Sequence, residues 1–233
     1  MAFNVDIFTQ FLYNSRHMNT EIEQTQEAGK GSSQELLPRI FASPLYSVSM
    51  LECLSRIEYA GVNWILGMPP ELMNASMHHH AQDELHHSKM MADAARTGRK
   101  VLSADELKIE NRMTEDALAA TERYLTAIFR KYYRKSVSVA EGSTFSLWFY
   151  YSLSLAVERR LIRIYPHVAS KGTTEALRTM VKKLIHDEKE HFNAMEDGVG
   201  KMGPGLVALI EEMQGVEEEA AKIWMSTLER IYS

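Results

Sequence analysis

The sequence predicts an all-α fold: an antiparallel four-helix bundle with a long crossover helix and extra helices at both ends. Three observations lead to this prediction. Apolar residues recur at spacings of three and four along most of the chain, which is typical of amphipathic helices. Caps and Gly/Pro breakers separate the periodic segments. A polar motif occurs twice in strongly helical surroundings, once in each half of the chain. We therefore expect one helical domain over residues 1–233.

The N-terminal arm, residues 1–42, is expected to pack over the bundle. It reads as an amphipathic helix over residues 5–30 and a second short helix around residues 36–41. The bundle core begins at Ser43, because Ser followed by Pro is a common start of a helix. We expect this first core helix to end near Leu66, where a Gly-Met-Pro-Pro breaker follows.

The second core helix is predicted from about Pro70 to Gly98. Ser103 and Glu106 then form a capping box that opens a long crossover helix to about Lys135. Its high density of charged residues predicts an element that is mostly exposed to solvent. We assign it no chemistry.

The third core helix is predicted to begin near Ser143, with Pro166 expected to kink or end it. The fourth is predicted over residues 173–197 and closed by Gly198. Beyond a Gly-Pro-Gly breaker, residues 206–231 read as one or two amphipathic helices. The predicted layout is a bundle core over 44–198 with C-terminal helices over 204–233.

The doubled motif has the pattern Asp-Glu-x-x-His. It spans Asp83-Glu84-Leu85-His86-His87 and Asp187-Glu188-Lys189-Glu190-His191. Positions i and i+3 lie on one helix face, so each Glu and His can bind one metal ion together. Random placement predicts about one Glu-x-x-His match per chain, but only about 0.03 once the preceding Asp is required. Two copies are therefore a strong signal.

Each of the other two core helices places a carboxylate on its apolar face, at Glu58 and Glu158. An unpaired buried charge is very costly, so these carboxylates need partners. Glu52 is the alternative on the first helix, but it shares a polar face with Arg56, with which we expect an i,i+4 pair. We prefer Glu58.

Together these side chains predict a dinuclear metal site at one level of the bundle. Its six predicted ligands are Glu58, Glu84, His87, Glu158, Glu188 and His191. Asp83 and Asp187 are expected to accept the free ring N–H of a ligand histidine, which fixes its tautomer. His80, one turn before Glu84, is either a third histidine ligand, a substrate contact or a core histidine.

Two further groups of side chains carry weaker predictions. Tyr151 lies two turns before Glu158 and is either a redox tyrosine or a packing residue. The remaining histidines of the motif regions fall off the apolar stripes, and we expect His78, His79, His86 and His186 to be solvated.

Composition excludes several functional classes. The net charge of −5 and the lack of a basic patch argue against nucleic acid as a partner. The single cysteine, Cys53, excludes an intramolecular disulfide and fits a reducing compartment. The N-terminus does not resemble a signal peptide, and no apolar run approaches the roughly 20 residues that cross a bilayer. We therefore expect a cytoplasmic protein with no membrane partner.

The pattern over residues 44–198 resembles the ferritin-like diiron carboxylate proteins. These include ferritins, rubrerythrins, the radical subunit of ribonucleotide reductase, multicomponent monooxygenases and aldehyde-deformylating oxygenase. The resemblance implies that Glu84 and Glu188 bridge or chelate two irons and that His87 and His191 are each terminal on one iron. Glu58 and Glu158 are then the terminal carboxylates.

The leading hypothesis is a dinuclear-iron oxidase or oxygenase that uses O2 on a small or apolar organic substrate, as a monomer or homodimer with an external electron donor. Mixed oxygen and imidazole ligands suit iron or manganese, so Mn or mixed Mn/Fe stays open. The alternatives are an iron-handling ferroxidase or storage protein, a dimanganese protein that handles peroxide, and a scaffold protein without metal.

Overall fold

The structure is a computed structural model that describes residues 33–233. This part of the chain contains α-helices and one short 3-10 turn but no β-strand, which confirms the all-α prediction. The predicted helix over residues 5–30 lies outside the described residues. The seven α-helices are α1 (Ser33–Ala42), α2 (Pro44–Leu66), α3 (Ala75–Arg99), α4 (Ala104–Val139), α5 (Gly142–Lys171), α6 (Glu175–Gly200) and α7 (Pro204–Ile231).

Side-chain caps set most of the helix starts. The Ser43 hydroxyl accepts a bond from Tyr46 N, and Pro44 occupies the first turn of α2. Asn74 caps α3 in the same way, after a short 3-10 turn over Pro70–Leu72, so α3 begins later than expected. Both halves of the predicted capping box at the start of α4 are present.

The first pair of core helices, α2 and α3, is antiparallel. As residue numbers rise along α2 they fall along α3: Glu52 pairs with Arg99, the Ser55 hydroxyl donates to the carbonyl of Ser88, and Gly61 faces Glu84. A short connection between the two helices forces this arrangement. It sets the level at which the α3 motif meets α2.

The second pair, α5 and α6, is antiparallel as well. Tyr151 packs on Gly198, the Arg159 guanidinium lies over the Phe192 ring, and Gly172 contacts Leu177 near the connecting turn. The two pairs meet through α3 and α6. The two motif-bearing helices are therefore in contact.

The long helix α4 is not mostly solvated, so that part of the prediction is wrong. One face of α4 is buried against α2, α5 and α7 and includes the fully buried Glu110. Trp64 of α2 lies near Phe129, and the Tyr132 hydroxyl donates to the carbonyl of Met213 in α7. Apart from Glu110, the charged residues of α4 are exposed or half-buried, because a helix can be highly charged and still bury one stripe.

Two helices extend beyond the ends that the sequence predicts. Helix α5 continues through Pro166 to Lys171, and α6 continues past Gly198 to Gly200. At Gly198 the Tyr151 ring lies so close that a Cβ would be 2.3 Å from Cε1, so glycine there serves packing and not termination. The C-terminal segment is a single helix, α7.

None of the helices within residues 33–233 has the length and apolar character needed to span a membrane.

Candidate metal centre

Four helices contribute polar side chains to one buried cluster. Helix α2 supplies Glu58, α3 supplies His80, Glu84 and His87, α5 supplies Glu158, and α6 supplies Glu188 and His191. The four glutamates are at most 3% exposed, and His191 is the most exposed member at 11%. The structure thus brings all six predicted ligands together, with His80 in addition.

The ligand atoms fall into two groups, within each of which they all lie within 4.8 Å of one another. The nitrogen-rich subsite consists of His80, Glu84, Glu158 and His191. The oxygen-rich subsite consists of Glu58, Glu84, His87 and Glu188. Because Glu84 belongs to both groups, the two subsites adjoin.

The two motif histidines point one ring nitrogen into the cluster and the other outward. His191 Nδ1 lies 3.4 Å from Glu84 Oε1, and His87 Nδ1 lies 2.9 Å from Glu188 Oε1. On their outer sides, His191 Nε2 lies 3.2 Å from Asp83 Oδ2 and His87 Nε2 lies 3.5 Å from Asp187 Oδ2. Each aspartate therefore faces the histidine of the other motif, a crossed arrangement that the sequence alone does not reveal.

His80 also points one ring nitrogen into the cluster and the other outward, but its outer partner is a tyrosine. Its Nε2 lies 3.0 Å from Glu158 Oε1 and 3.4 Å from Glu84 Oε1, and its Nδ1 lies 2.9 Å from the Tyr150 hydroxyl. The spacing of His80, Glu84 and His87 places all three on one face of α3. His80 therefore has the position expected of a third histidine ligand.

Among the tyrosines of residues 33–233, two touch the cluster, and neither is Tyr151. The buried Tyr165 hydroxyl donates a short hydrogen bond to Glu58 Oε1, and Tyr150 contacts His80. Tyr151 instead packs against Gly198 and the Tyr150 ring, which favours its packing role. The Tyr165 contact joins α5 to α2, so no spacing within one helix indicates it.

Most buried polar atoms without a hydrogen-bond partner belong to this cluster. Among the described residues eight such side-chain atoms occur, and seven of them are oxygens or nitrogens of the six predicted ligands. The close approach of His87 Nδ1 to Glu188 Oε1 lacks hydrogen-bond geometry, so both atoms count among the seven. An unpaired buried polar atom costs about 1–3 kcal/mol, so a concentration of this kind needs an explanation.

The carboxylates also lack lysine and arginine partners. Within residues 33–233, the ion pairs of the four cluster glutamates are all with histidines, and none is with lysine or arginine. Burial, followed by the charges of Glu84 and Glu188, raises the pKa of Glu58 well above its usual value. Burial and the same two charges raise the pKa of Glu158 as well.

The two motif glutamates shift in the opposite direction. Burial alone would raise the pKa of Glu84, but its close contacts with His191 and His80 hold it well below its usual value. Burial would also raise the pKa of Glu188, but the close approach of Glu158, His191 and His87 lowers it to about 2. The same contacts overcome burial and raise the pKa of His191 to about 10.

The two candidate glutamates of the first core helix lie in different surroundings. Glu58 lies in the cluster, whereas Glu52 Oε1 lies 2.6 Å from Arg99 Nη1. The expected Glu52–Arg56 pair is wrong, because Arg56 turns to Glu122 of α4. Gly61, one turn after Glu58, leaves room for Glu84: a Cβ there would lie 3.0 Å from Glu84 Oε2.

The remaining motif histidines are on the surface, as expected: His78, His79, His86 and His186 are exposed. His79 Nε2 lies 3.5 Å from Asp83 Oδ2, at the outer edge of the cluster. His186 lies 3.6 Å from the exposed Glu190, one turn along α6.

Two surface clefts lie elsewhere. One, of about 290 Å³, is bounded by α5, α6 and α7 and includes Leu155 and Ile210; the other, of about 380 Å³, lies between α4 and α7 around Arg134 and Met213. No cluster residue lines either cleft. Neither cleft is therefore part of the candidate metal centre.

No protein-family model, curated protein or solved structure matches the chain.

Proposed function

We propose that the chain forms a ferritin-like bundle around a dinuclear metal centre, and that it is an O2-using diiron oxidase or oxygenase acting on a small or apolar organic substrate. The observation that carries the proposal is the cluster of four buried glutamates and three histidines without lysine or arginine partners. Its support is chemical, since the arrangement is unfavourable unless something cationic completes it.

The donor set fits two divalent ions. Four carboxylates carry four negative charges, so two divalent cations would make the cluster neutral in an apolar interior. The seven unpartnered atoms of Glu58, Glu84, His87, Glu158, Glu188 and His191 would all gain a bonding partner. Carboxylate oxygens mixed with imidazole nitrogens, and no thiolate, suit iron or manganese better than thiophilic metals.

The ligand roles follow from the grouping. Glu84 is shared by the two subsites, so it is the residue that would connect the metals, and Glu188 lies beside both His87 and His191. Bound iron would supply the electrons with which O2 is reduced as an organic substrate is oxidised. The chain's own side chains would orient the metal ligands and exclude water.

Those side chains orient the ligands and keep water out. Asp83 and Asp187 each face the outer nitrogen of one histidine, which fixes the tautomer and directs a lone pair inward, and the Tyr150 hydroxyl faces the outer nitrogen of His80. Tyr165 holds one oxygen of Glu58 and leaves the other without a partner. Packed helices surround the cluster, and such burial strengthens every electrostatic interaction inside it.

Metal binding tests the proposal directly. Metal-free protein titrated with Fe(II) without oxygen, followed by desalting and elemental analysis, is expected to retain two irons per chain. His87→Ala is expected to lose metal, whereas His86→Ala is the matched control because His86 is adjacent and exposed. Admitting O2 should then give uptake that depends on iron. Retention of no metal, or equal retention in both variants, would contradict the proposal.

The same experiment separates the alternatives. Iron far in excess of two per chain, held in a large oligomer, would indicate storage. Manganese with peroxide breakdown and no O2 uptake would indicate the dimanganese alternative.

A further inference from the structure

The two halves of the cluster differ in their donor atoms. The nitrogen-rich subsite offers two imidazoles and two carboxylates, whereas the oxygen-rich subsite offers one imidazole and three carboxylates. The difference is due to one residue, His80, which has no counterpart beside His87. The doubled motif alone would give one histidine to each half.

The outer partners of the histidines differ too. His87 and His191 face aspartates, whereas His80 Nδ1 lies 2.9 Å from the hydroxyl of Tyr150, which is only 3% exposed. A phenol oxygen can accept the Nδ1–H of His80, which directs the Nε2 lone pair into the subsite that also contains Glu158 and Glu84.

Donor type governs metal preference. Imidazole suits Fe(II), Co(II) and Zn(II), whereas carboxylate-rich sites suit Mn(II), and Mn(II) is the weakest of the series at nitrogen donors. Adjacent subsites with unequal donors would therefore sort unequal metals.

We propose that the two metal positions are inequivalent: the subsite of His80, Glu84, Glu158 and His191 selects Fe(II) or Co(II), and the subsite of Glu58, Glu84, His87 and Glu188 accepts Mn(II). Tyr150 is the positioning residue for His80. The inference rests on the proposed dinuclear centre and adds which residue makes its halves different.

The test uses Co(II) and Mn(II) and needs no turnover. Metal-free full-length chain is given one equivalent of each ion without oxygen, and crystals are measured at the X-ray absorption edge of each element. We expect most of the cobalt beside His80 and most of the manganese beside His87. Both elements spread evenly over the two positions, or cobalt concentrated beside His87, would overturn the inference while leaving the dinuclear centre intact.

Two variants and a control sharpen the test. His80→Gln replaces the nitrogen donor with an amide oxygen, so each half keeps one imidazole and cobalt should distribute evenly. His78→Gln, an exposed position on the same helix, should sort the metals as the wild type does. Sorting that persists in His80→Gln would contradict the assignment.

Tyr150→Phe conserves volume and keeps the test informative if His80→Gln does not fold. Losing the outer partner of a metal-bound histidine typically costs about 10–100-fold in metal affinity. We expect that loss for Co(II) by competition titration, with Mn(II) affinity unchanged. An equal loss for both metals would indicate a general structural effect and would contradict the specific role of Tyr150. Absence of either metal from the cluster in the wild type would overturn the dinuclear centre itself.

Discussion

Two kinds of buried carboxylate occur in this molecule. Glu110 and Glu217 are 0% and 4% exposed, as deeply buried as the cluster glutamates. Yet Arg99 Nη2 lies 2.9 Å from Glu110 Oε1, and Arg160 donates two hydrogen bonds to the two oxygens of Glu217. The cluster glutamates have no such cation.

Neutral donors complete the two paired carboxylates. The Thr114 hydroxyl donates to Glu110 at 2.7 Å, and the Tyr124 hydroxyl donates to Glu217 at 2.6 Å. Both sites tie α4 to neighbouring elements and have the hydrogen bonds that a buried ion pair requires. Burial of a carboxylate therefore does not by itself indicate a metal site, whereas burial of several carboxylates together without a lysine or arginine partner favours one.

The largest expected effect comes from the same substitution at the two kinds of site. Glu217→Gln leaves the Arg160 guanidinium, 15% exposed, without its countercharge and should lower the free energy of unfolding by about 3 kcal/mol. Glu58→Gln in metal-free protein should cost nothing measurable, because its raised pKa favours the neutral form that the amide mimics. Urea denaturation of both variants measures the difference.

The distinction between the two sites would fail if both variants lost equal stability. A separate control is Glu190→Gln, since Glu190 is exposed in the α6 motif and should be neutral in stability and in metal binding.

An intermediate effect is expected from pH. Below its usual 6.5, His191 contributes stability, and this contribution is lost as pH rises toward its raised pKa of about 10. The pKa values of Glu58 and Glu158 are also raised, so their contribution to stability is likewise lost as pH rises above their usual pKa of 4.5. Glu188 acts oppositely, since its stabilisation is lost as pH falls from 4.5 toward about 2.

Metal-free protein should therefore be most stable near pH 4.5 and weaken from there toward pH 10, as measured by urea denaturation at each pH. Metal-loaded protein should show the opposite trend over neutral pH, because metal ligands must be deprotonated. His191→Gln should flatten the decline of the metal-free protein above pH 6.5. A metal-free stability that rises from pH 6.5 to 10 would disprove this reading.

The smallest expected effect concerns Gly61. Alanine there favours helix by up to about 1 kcal/mol, but its Cβ would lie 3.0 Å from Glu84 Oε2 and push that side chain a few tenths of an ångström. Metal-free stability should change little, while affinity for the first metal should fall about tenfold, by analogy with other changes around a ligand. Gly200→Ala, in open space, should leave affinity unchanged; equal affinity in both variants would show that Gly61 has no such role.

The sequence predicted the helices and the six side chains of the cluster because both depend on local spacing. The helical period and the helix caps place Glu84 and His87 on one helix face, however that helix packs against its neighbours. The preference for Glu58 over Glu52 also came from a local pattern, the apolar face around Glu58. The ligand roles, the ferritin-like family and the O2 chemistry stay proposals.

Contacts between helices could not be predicted in the same way. Three features depend on how the helices rotate against one another. Asp83 faces the histidine of the other motif, Tyr165 contacts Glu58, and the tyrosine beside His80 is Tyr150 and not Tyr151. The predicted Glu52–Arg56 ion pair is wrong for the same reason, because α4 lies beside α2 and its Glu122 pairs with Arg56.

What the sequence by itself determined is an all-helical chain with carboxylates and histidines repeated on the apolar faces of four helices. Only the tertiary structure decided which of these groups meet, that His80 joins one half of the cluster, and that Glu110 and Glu217 have arginines while the cluster has none. The physical reason is that spacing along a helix fixes the face of a side chain. Its partner and its countercharge come from residues distant in the chain.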